Sequence, residues 1–275
     1  QISIEDDTTV AFTEDVGARY AAYGWHVQHV DDGEDLAAVD AAFAAAKAET
    51  TRPSIIVLRT VIGWPSPNKQ NTGAVHGSAL GDDEVKATKE ILGFDPEKTF
   101  EVAPEVIEHT RKAVTRGQQA HAEWQQRFDA WTAANPEGAA LMERMSSRTL
   151  PEGWAEELPS WNADPKGVAT RKASGKVLAA LYPELPELWG GPADLAEGNN
   201  TAVKGEPSFL PASRQTKMWS GGPYGRTLHF GVREHAMGAV MNGIALHGGT
   251  RVYGGTFLIF SEYLYPAIRV AALSG

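Results

Sequence analysis

The chain reads as an α/β protein with two parallel-sheet units joined by a linker, and three observations predict this. Near the start, a strand, an Ala-rich helix and a β-branched run follow one another with short connections. Beyond residue 167 the same alternation of helices and short apolar runs returns. Between the two lies an aperiodic stretch holding Pro151, Pro159 and Pro165 with Trp154 and Trp161, the composition of an inter-domain linker.

In order along the chain, Gln1-Ile-Ser-Ile4 is strand-like and Trp25 to Val30 reads as a strand. Asp31, Asp32 and Gly33 supply a turn and cap before a helix from Asp35 to Glu49. Ile55 to Leu58 is a continuous β-branched and leucine run, the pattern of a buried parallel strand, and implies a right-handed βαβ unit. A long loop full of helix and strand breakers follows, from Gly63 to Gly73, with His76 just past its end. In open parallel sheets ligands bind beyond the carboxyl ends of the strands, where this loop must lie. Helices are predicted over 82–92, over 104–135 with a break near Gly117, and over 137–147.

The second unit opens with a helix from Val168 to Tyr182 and a strand from Leu188 into Gly190 and Gly191. Residues 196–225 lack periodicity and form a long irregular loop, usually a functional feature in a compact domain. A strand over 227–231, a buried helix over 234–246, a strand over 252–255 and a helix from Phe257 onward complete the unit. The boundaries implied are 1–147, a linker over 148–166, and 167–275.

Composition limits the function. A net charge of −10 argues against nucleic-acid binding, and the absence of cysteine excludes disulfides and thiolate metal sites. No apolar run approaches the ~18 residues of a membrane span, and no signal peptide is visible. The expectation is a cytoplasmic protein with no membrane partner. An N-terminus without methionine and a C-terminus directly after an apolar helix suggest a piece of something longer.

The most informative residue is Glu234, set among Ala, Val, Met and Ile at helical spacing and so expected to be largely buried. A buried carboxylate raises its pKa or finds a partner. One reading pairs it structurally with Arg233 or His235; the other gives it chemistry. Phe257, Phe260 and Tyr263 recur at three-residue intervals, which lines three rings along one helical face. Such a stripe is either core packing or the wall of a pocket for a flat heterocycle.

Six blocks, Gly24-Trp-His26, Val75-His-Gly77, Ala169-Thr-Arg-Lys172, Ala193-Asp-Leu195, Arg233-Glu-His-Ala-Met-Gly238 and Gly254-Gly-Thr-Phe257, stand in the order found in transketolases. The sequence resembles that family over essentially its whole length. The resemblance implies two thiamine-diphosphate-binding-type α/β domains, both incomplete. It also implies a homodimer that transfers a two-carbon ketol unit between sugar phosphates in the pentose phosphate pathway. By resemblance, Glu234 is the acid that hydrogen-bonds the pyrimidine of thiamine diphosphate, and Phe257, Phe260 and Tyr263 pack that ring. His76 faces the reacting oxygens and also touches the cofactor, and Arg171 grips the sugar phosphate. Ile2 offers a backbone carbonyl to the Mg²⁺ (or Ca²⁺) that holds the diphosphate, and Ile4 an apolar contact to the thiazolium. The family's aspartate and asparagine metal ligands are not in this sequence, so the chain alone is expected to be inactive. Gly198 stands where the family usually has a phosphate-binding serine. The alternatives are a dihydroxyacetone synthase or other thiamine-dependent C2 transferase, and a non-catalytic module of the same fold.

Overall fold

The computed structural model describes residues 2–275; Gln1, the first residue of the strand-like N-terminal stretch, lies outside them. The chain forms two compact units, one ending at Ala113 and one beginning at Val114.

In the first unit, β1 (Ile2–Ser3) pairs antiparallel with β2 (Asp6–Asp7). The helix α1 (Val16–Ala22) is capped by Asp15, whose carboxylate accepts from the Ala18 N–H at 2.9 Å. Then come β3 (His26–Val30), α2 (Leu36–Ala48) and β4 (Ser54–Leu58), the predicted strand–helix–strand unit. β3 and β4 run parallel, His26 opposite Ser54 and Val30 opposite Leu58. The cap of α2 is Asp35, accepting from the Ala38 N–H at 3.0 Å. Asp32 instead closes the preceding turn by accepting from the Glu34 N–H. After a 3-10 turn over Gly73–Val75 comes α3 (Asp82–Leu92).

The helix α4 (Pro104–Ala134) starts in this unit and continues into the next. It runs unbroken through Gly117, contrary to the sequence expectation. One glycine costs a helix interior about 1 kcal/mol, too little to interrupt 31 residues of hydrogen-bonded ladder.

The second unit adds α5 (Pro136–Ser147), α6 (Thr170–Glu184), β5 (Leu188–Pro192), the short α7 (Ala196–Asn199), β6 (Ser208–Phe209) and β7 (Gly221–Gly222). It ends with α8 (Glu234–His247), β8 (Arg251–Gly255) and α9 (Ser261–Leu273). β5 and β8 are parallel neighbours, Leu188 opposite Arg251 and Pro192 opposite Gly255. The strand expected over 227–231 is reduced to Thr227, which bridges Gly190 and Ser208. The stretch still lies along β5, since the Leu228 N–H donates to Gly190 O at 2.9 Å and Phe230 N–H to Pro192 O at 3.2 Å. The close approach requires glycine in β5: a Cβ at Gly191 would sit 2.0 Å from Leu228 O.

Two apolar clusters hold this unit together. Tyr182, Leu185 and Leu188 pack with Tyr253 of β8, while Ala193, Met237 and Leu264 join the turn after β5 to α8 and α9. Each large apolar side chain so buried contributes roughly 1.5–3 kcal/mol. The helix α8 is not buried all round as its sequence suggested. Only Met237 and Gly238 are enclosed, and Val240 and Leu246 are 47% and 64% exposed. One face packs on β8 and α9, while Val240, Gly243 and Ile244 line an open cleft with Trp189 and Phe230.

Polar ties fasten the loops. The Tyr253 hydroxyl donates to Thr201 O at 2.8 Å and shares a hydrogen bond with Tyr182 at 3.0 Å; burial pushes that phenol's pKa up. Arg226 lies 4.3 Å over the Tyr182 ring and donates to Glu206. Glu187 is buried, which opposes its charge, yet two hydrogen bonds from Arg144 and one from Arg251 hold its carboxyl below the usual range. No helix among the described residues is long and apolar enough to cross a membrane.

Candidate functional site

At the carboxyl end of β5, a cavity of about 410 Å³ opens between the strand and the starts of α8 and α9. Glu234, Phe260 and Tyr263 line it, together with Ala193, Asp194 and Leu195 of the turn after β5 and with Val232. Its position is the one open parallel sheets favour for ligands, and its size falls within the usual ligand-pocket range.

Glu234 is the first residue of α8, following Arg233, whose backbone is neither helical nor extended and whose side chain does not cap the helix. There the unpaired helix N–H groups favour a carboxylate. Expected to be largely buried, it is half-buried, because the helix start forms the rim of the cavity rather than the core. Neither Arg233 nor His235 pairs with it: the Arg233 guanidinium donates to Phe230 O at 3.1 Å. Glu234 has no ion-pair or hydrogen-bond partner among the described residues. An unpartnered carboxylate on an apolar cavity wall is available to a ligand.

The aromatic row forms as the spacing implied, although not on one helix. β8 ends at Gly255, Phe257 precedes a 3-10 turn (Leu258–Phe260), and Tyr263 lies in the first turn of α9. Phe257 and Phe260 are 6.2 Å apart at 31°, and Phe260 and Tyr263 are 6.2 Å apart at 30°, a ladder of tilted and offset rings. Tyr263 is 66% exposed, so the ladder is a wall and not a core. Gly198 in α7 faces this wall: a Cβ there would stand 3.1 Å from the Phe257 ring. Arg171 lies in the first turn of α6, exposed and outside the cavity lining.

Asp194, the middle residue of the Ala193-Asp-Leu195 block, lines the cavity with a backbone φ of 62°. A non-glycine residue in the left-handed region concentrates strain of a kind often found at functional sites. The available signal was its place directly after a parallel strand.

In the first unit, Ile2 lines a second, smaller cavity of about 220 Å³ with Arg59, Thr60, Ile62 and Asn71, just past the carboxyl end of β4. Ile4 is exposed, and its carbonyl lies against the loop, 2.8 Å from where a Cβ on Gly73 would be. His76 caps the 3-10 turn that begins at Gly73, with its N–H donating to Gly73 O at 3.1 Å. Its ring is exposed and has no hydrogen-bond partner among the described residues. Ile2, Ile4 and His76 thus share one loop cluster, while Glu234 and the aromatic wall belong to the other unit.

The donor sets differ in what they fit. A carboxylate beside stacked rings suits an aminopyrimidine, which is flat and has a ring nitrogen able to hydrogen-bond. A divalent cation needs several oxygen ligands. Among the described residues no three His, Cys, Asp or Glu side chains gather to hold one, and the Ile2 carbonyl is insufficient by itself.

Two family models match. "Transketolase, thiamine diphosphate binding domain" covers residues 1–151, and "Transketolase, pyrimidine binding domain" covers 166–275. The transketolase of Mycobacterium tuberculosis is 60% identical over 273 residues, 99% of this chain and 39% of that protein. The Geobacillus stearothermophilus transketolase is 43% identical over the whole chain and 40% of its own length. Among solved structures, a Pichia stipitis transketolase in complex with sedoheptulose 7-phosphate matches with a TM-score of 0.87 at 44% identity, covering 99% of this chain and 40% of that one. A Leishmania mexicana transketolase matches with 0.86 at 37%. The chain spans about two fifths of the length of these relatives. With both family models together matching nearly all of its residues, the chain belongs to the transketolase family.

Proposed function

We propose that this chain serves the transketolase reaction, reversible transfer of a two-carbon ketol unit from a ketose phosphate such as xylulose 5-phosphate to an aldose phosphate. The observation that carries the proposal is the cavity in which unpartnered Glu234 faces the Phe260 and Tyr263 rings. Glu234 hydrogen-bonds the pyrimidine ring nitrogen and holds or releases a proton there, while the aromatic wall fixes the ring plane and excludes water. When bound, thiamine diphosphate supplies the electron sink for the two-carbon unit. His76 hydrogen-bonds the reacting oxygens, and the Arg171 guanidinium binds the sugar phosphate.

The functional division runs 1–147, linker 148–166 and 167–275. The active form is a cytoplasmic homodimer of the pentose phosphate pathway, in which Glu234 and His76 of one chain serve different sites. The Ile2 carbonyl contributes one ligand to Mg²⁺ (or Ca²⁺), and Ile4 packs on the thiazolium. Because that carbonyl does not fit a cation alone, these 275 residues by themselves do not turn over. The test is Glu234→Gln in the complete transketolase carrying this sequence, assayed with xylulose 5-phosphate and an aldose phosphate. Loss of a positioned acid–base group predicts a fall in kcat of about 10²-fold or more; retention of most activity contradicts the proposal.

A further inference from the structure

The loop 62–77, which carries His76, is fixed at its centre by a carboxylate that lies outside it in sequence. Glu84, in the first turn of α3, is buried at 9% exposure. It accepts a hydrogen bond from the fully buried Ser66 hydroxyl, one from the Asn68 N–H at 2.8 Å and one from the Asn68 side-chain amide at 2.9 Å. Both carboxylate oxygens are thereby engaged. The rest of the loop closes on itself around this anchor. Lys69 donates to Leu80 O at 2.6 Å, the Thr72 hydroxyl to Lys69 O at 2.6 Å, and the Asn71 N–H to Ile62 O at 2.8 Å. Beyond it the His76 N–H returns to Gly73 O, and Gly73 abuts the Ile4 carbonyl. His76, exposed and unpartnered, has little else to hold it.

We infer that Glu84 is a positioning residue for His76: by clasping Ser66 and Asn68 it sets the course of the loop that presents the imidazole to the reacting oxygens. The inference rests on the role proposed for His76. Glu84 does not touch substrate or cofactor; it acts through the loop. Replacing the carboxylate with an amide leaves one acceptor oxygen for three donors on two sides. Either Ser66 and the Asn68 N–H or the Asn68 side-chain amide then meets an NH2 group, and the clasp weakens while the side chain keeps its size.

The experiment is a double-mutant cycle in the complete enzyme, with Glu84→Gln and His76→Ala separately and together, reading kcat and KM for the ketose phosphate. Displacement of a reacting group by an ångström can lower rate up to about 10²-fold. The expected result is a fall in kcat of about 10-fold for E84Q in the wild-type background, and less than about 2-fold when His76 is already alanine. A purely structural role gives the same fold-loss in both backgrounds, and that result overturns the inference while leaving the His76 assignment intact. Unchanged activity in H76A alone overturns the assignment of His76 and the inference with it. Should E84Q fail to fold, Ser66→Ala carries the same comparison, since it removes one donor and leaves the carboxylate paired.

Discussion

At the start of α8, Glu234 has a cavity wall on one side and no polar partner among the described residues, so its side chain does little for the fold. Glu234→Gln is therefore expected to leave stability within about 0.5 kcal/mol of the original. Urea unfolding of the chain checks this; a larger drop would mean that the carboxylate is structural and that any lost activity is ambiguous. Glu84 is the opposite case. Its hydrogen bonds, foremost from Ser66 and then Asn68, bring its pKa from 4.5 to about 2. A depressed folded-state pKa contributes stability that is present above the unfolded value and lost as pH falls through the folded one. Loop 62–77 should thus loosen as pH drops from about 4.5 toward 2, seen as a falling protection factor (exchange relative to the intrinsic rate at each pH) for the Asn68 amide. In E84Q the protection factor should already be lower at neutral pH, with that acid-dependent step gone.

At the scale of elements, the crossing of α8 and α9 sets where Glu234 and Tyr263 meet the cavity. The crossing is close because Gly238 has no side chain: a Cβ there would lie 2.7 Å from the Ala267 Cβ. Gly238→Ala should destabilise by about 1–3 kcal/mol through overpacking. Gly243→Ala, in the same helix with open space around it, should stabilise by about 0.5–1 kcal/mol through helix propensity. Denaturant midpoints that move the same way in both variants would contradict this account of the crossing. Elements with a local signal were legible in the sequence. The runs at 26–30, 54–58 and 188–192 are strands, and the aromatic spacing of 257, 260 and 263 did make a ladder. What escaped depends on distant partners. Stretch 227–231 bridges at a single residue, and α8 buries the face that β8 and α9 cover. The Glu84 clasp joins residues 16 and 18 positions apart, and no periodicity marks such a pairing.

For the whole molecule, the family was legible from six short blocks whose order and spacing matter more than any one of them. Their sites fall in two separate compact units: Ile2, Ile4 and His76 in one, Glu234 and the aromatic wall in the other. The chain spans about two fifths of its relatives' length, and among its described residues no cluster of acidic or histidine side chains can hold a cation. Incubating the purified 275-residue chain with thiamine diphosphate, Mg²⁺ and both sugar phosphates should give no turnover above background. Measurable ketol transfer would contradict that expectation.

The central claim is that Glu234 acts on the pyrimidine ring. It is tested most directly by deuterium uptake at the thiazolium C2 of thiamine diphosphate bound to the complete enzyme, followed by NMR without any sugar present. If Glu234 promotes proton removal through the pyrimidine, Glu234→Gln should slow that exchange by about 10²-fold or more. Exchange at the unaltered rate, with cofactor bound, would contradict it.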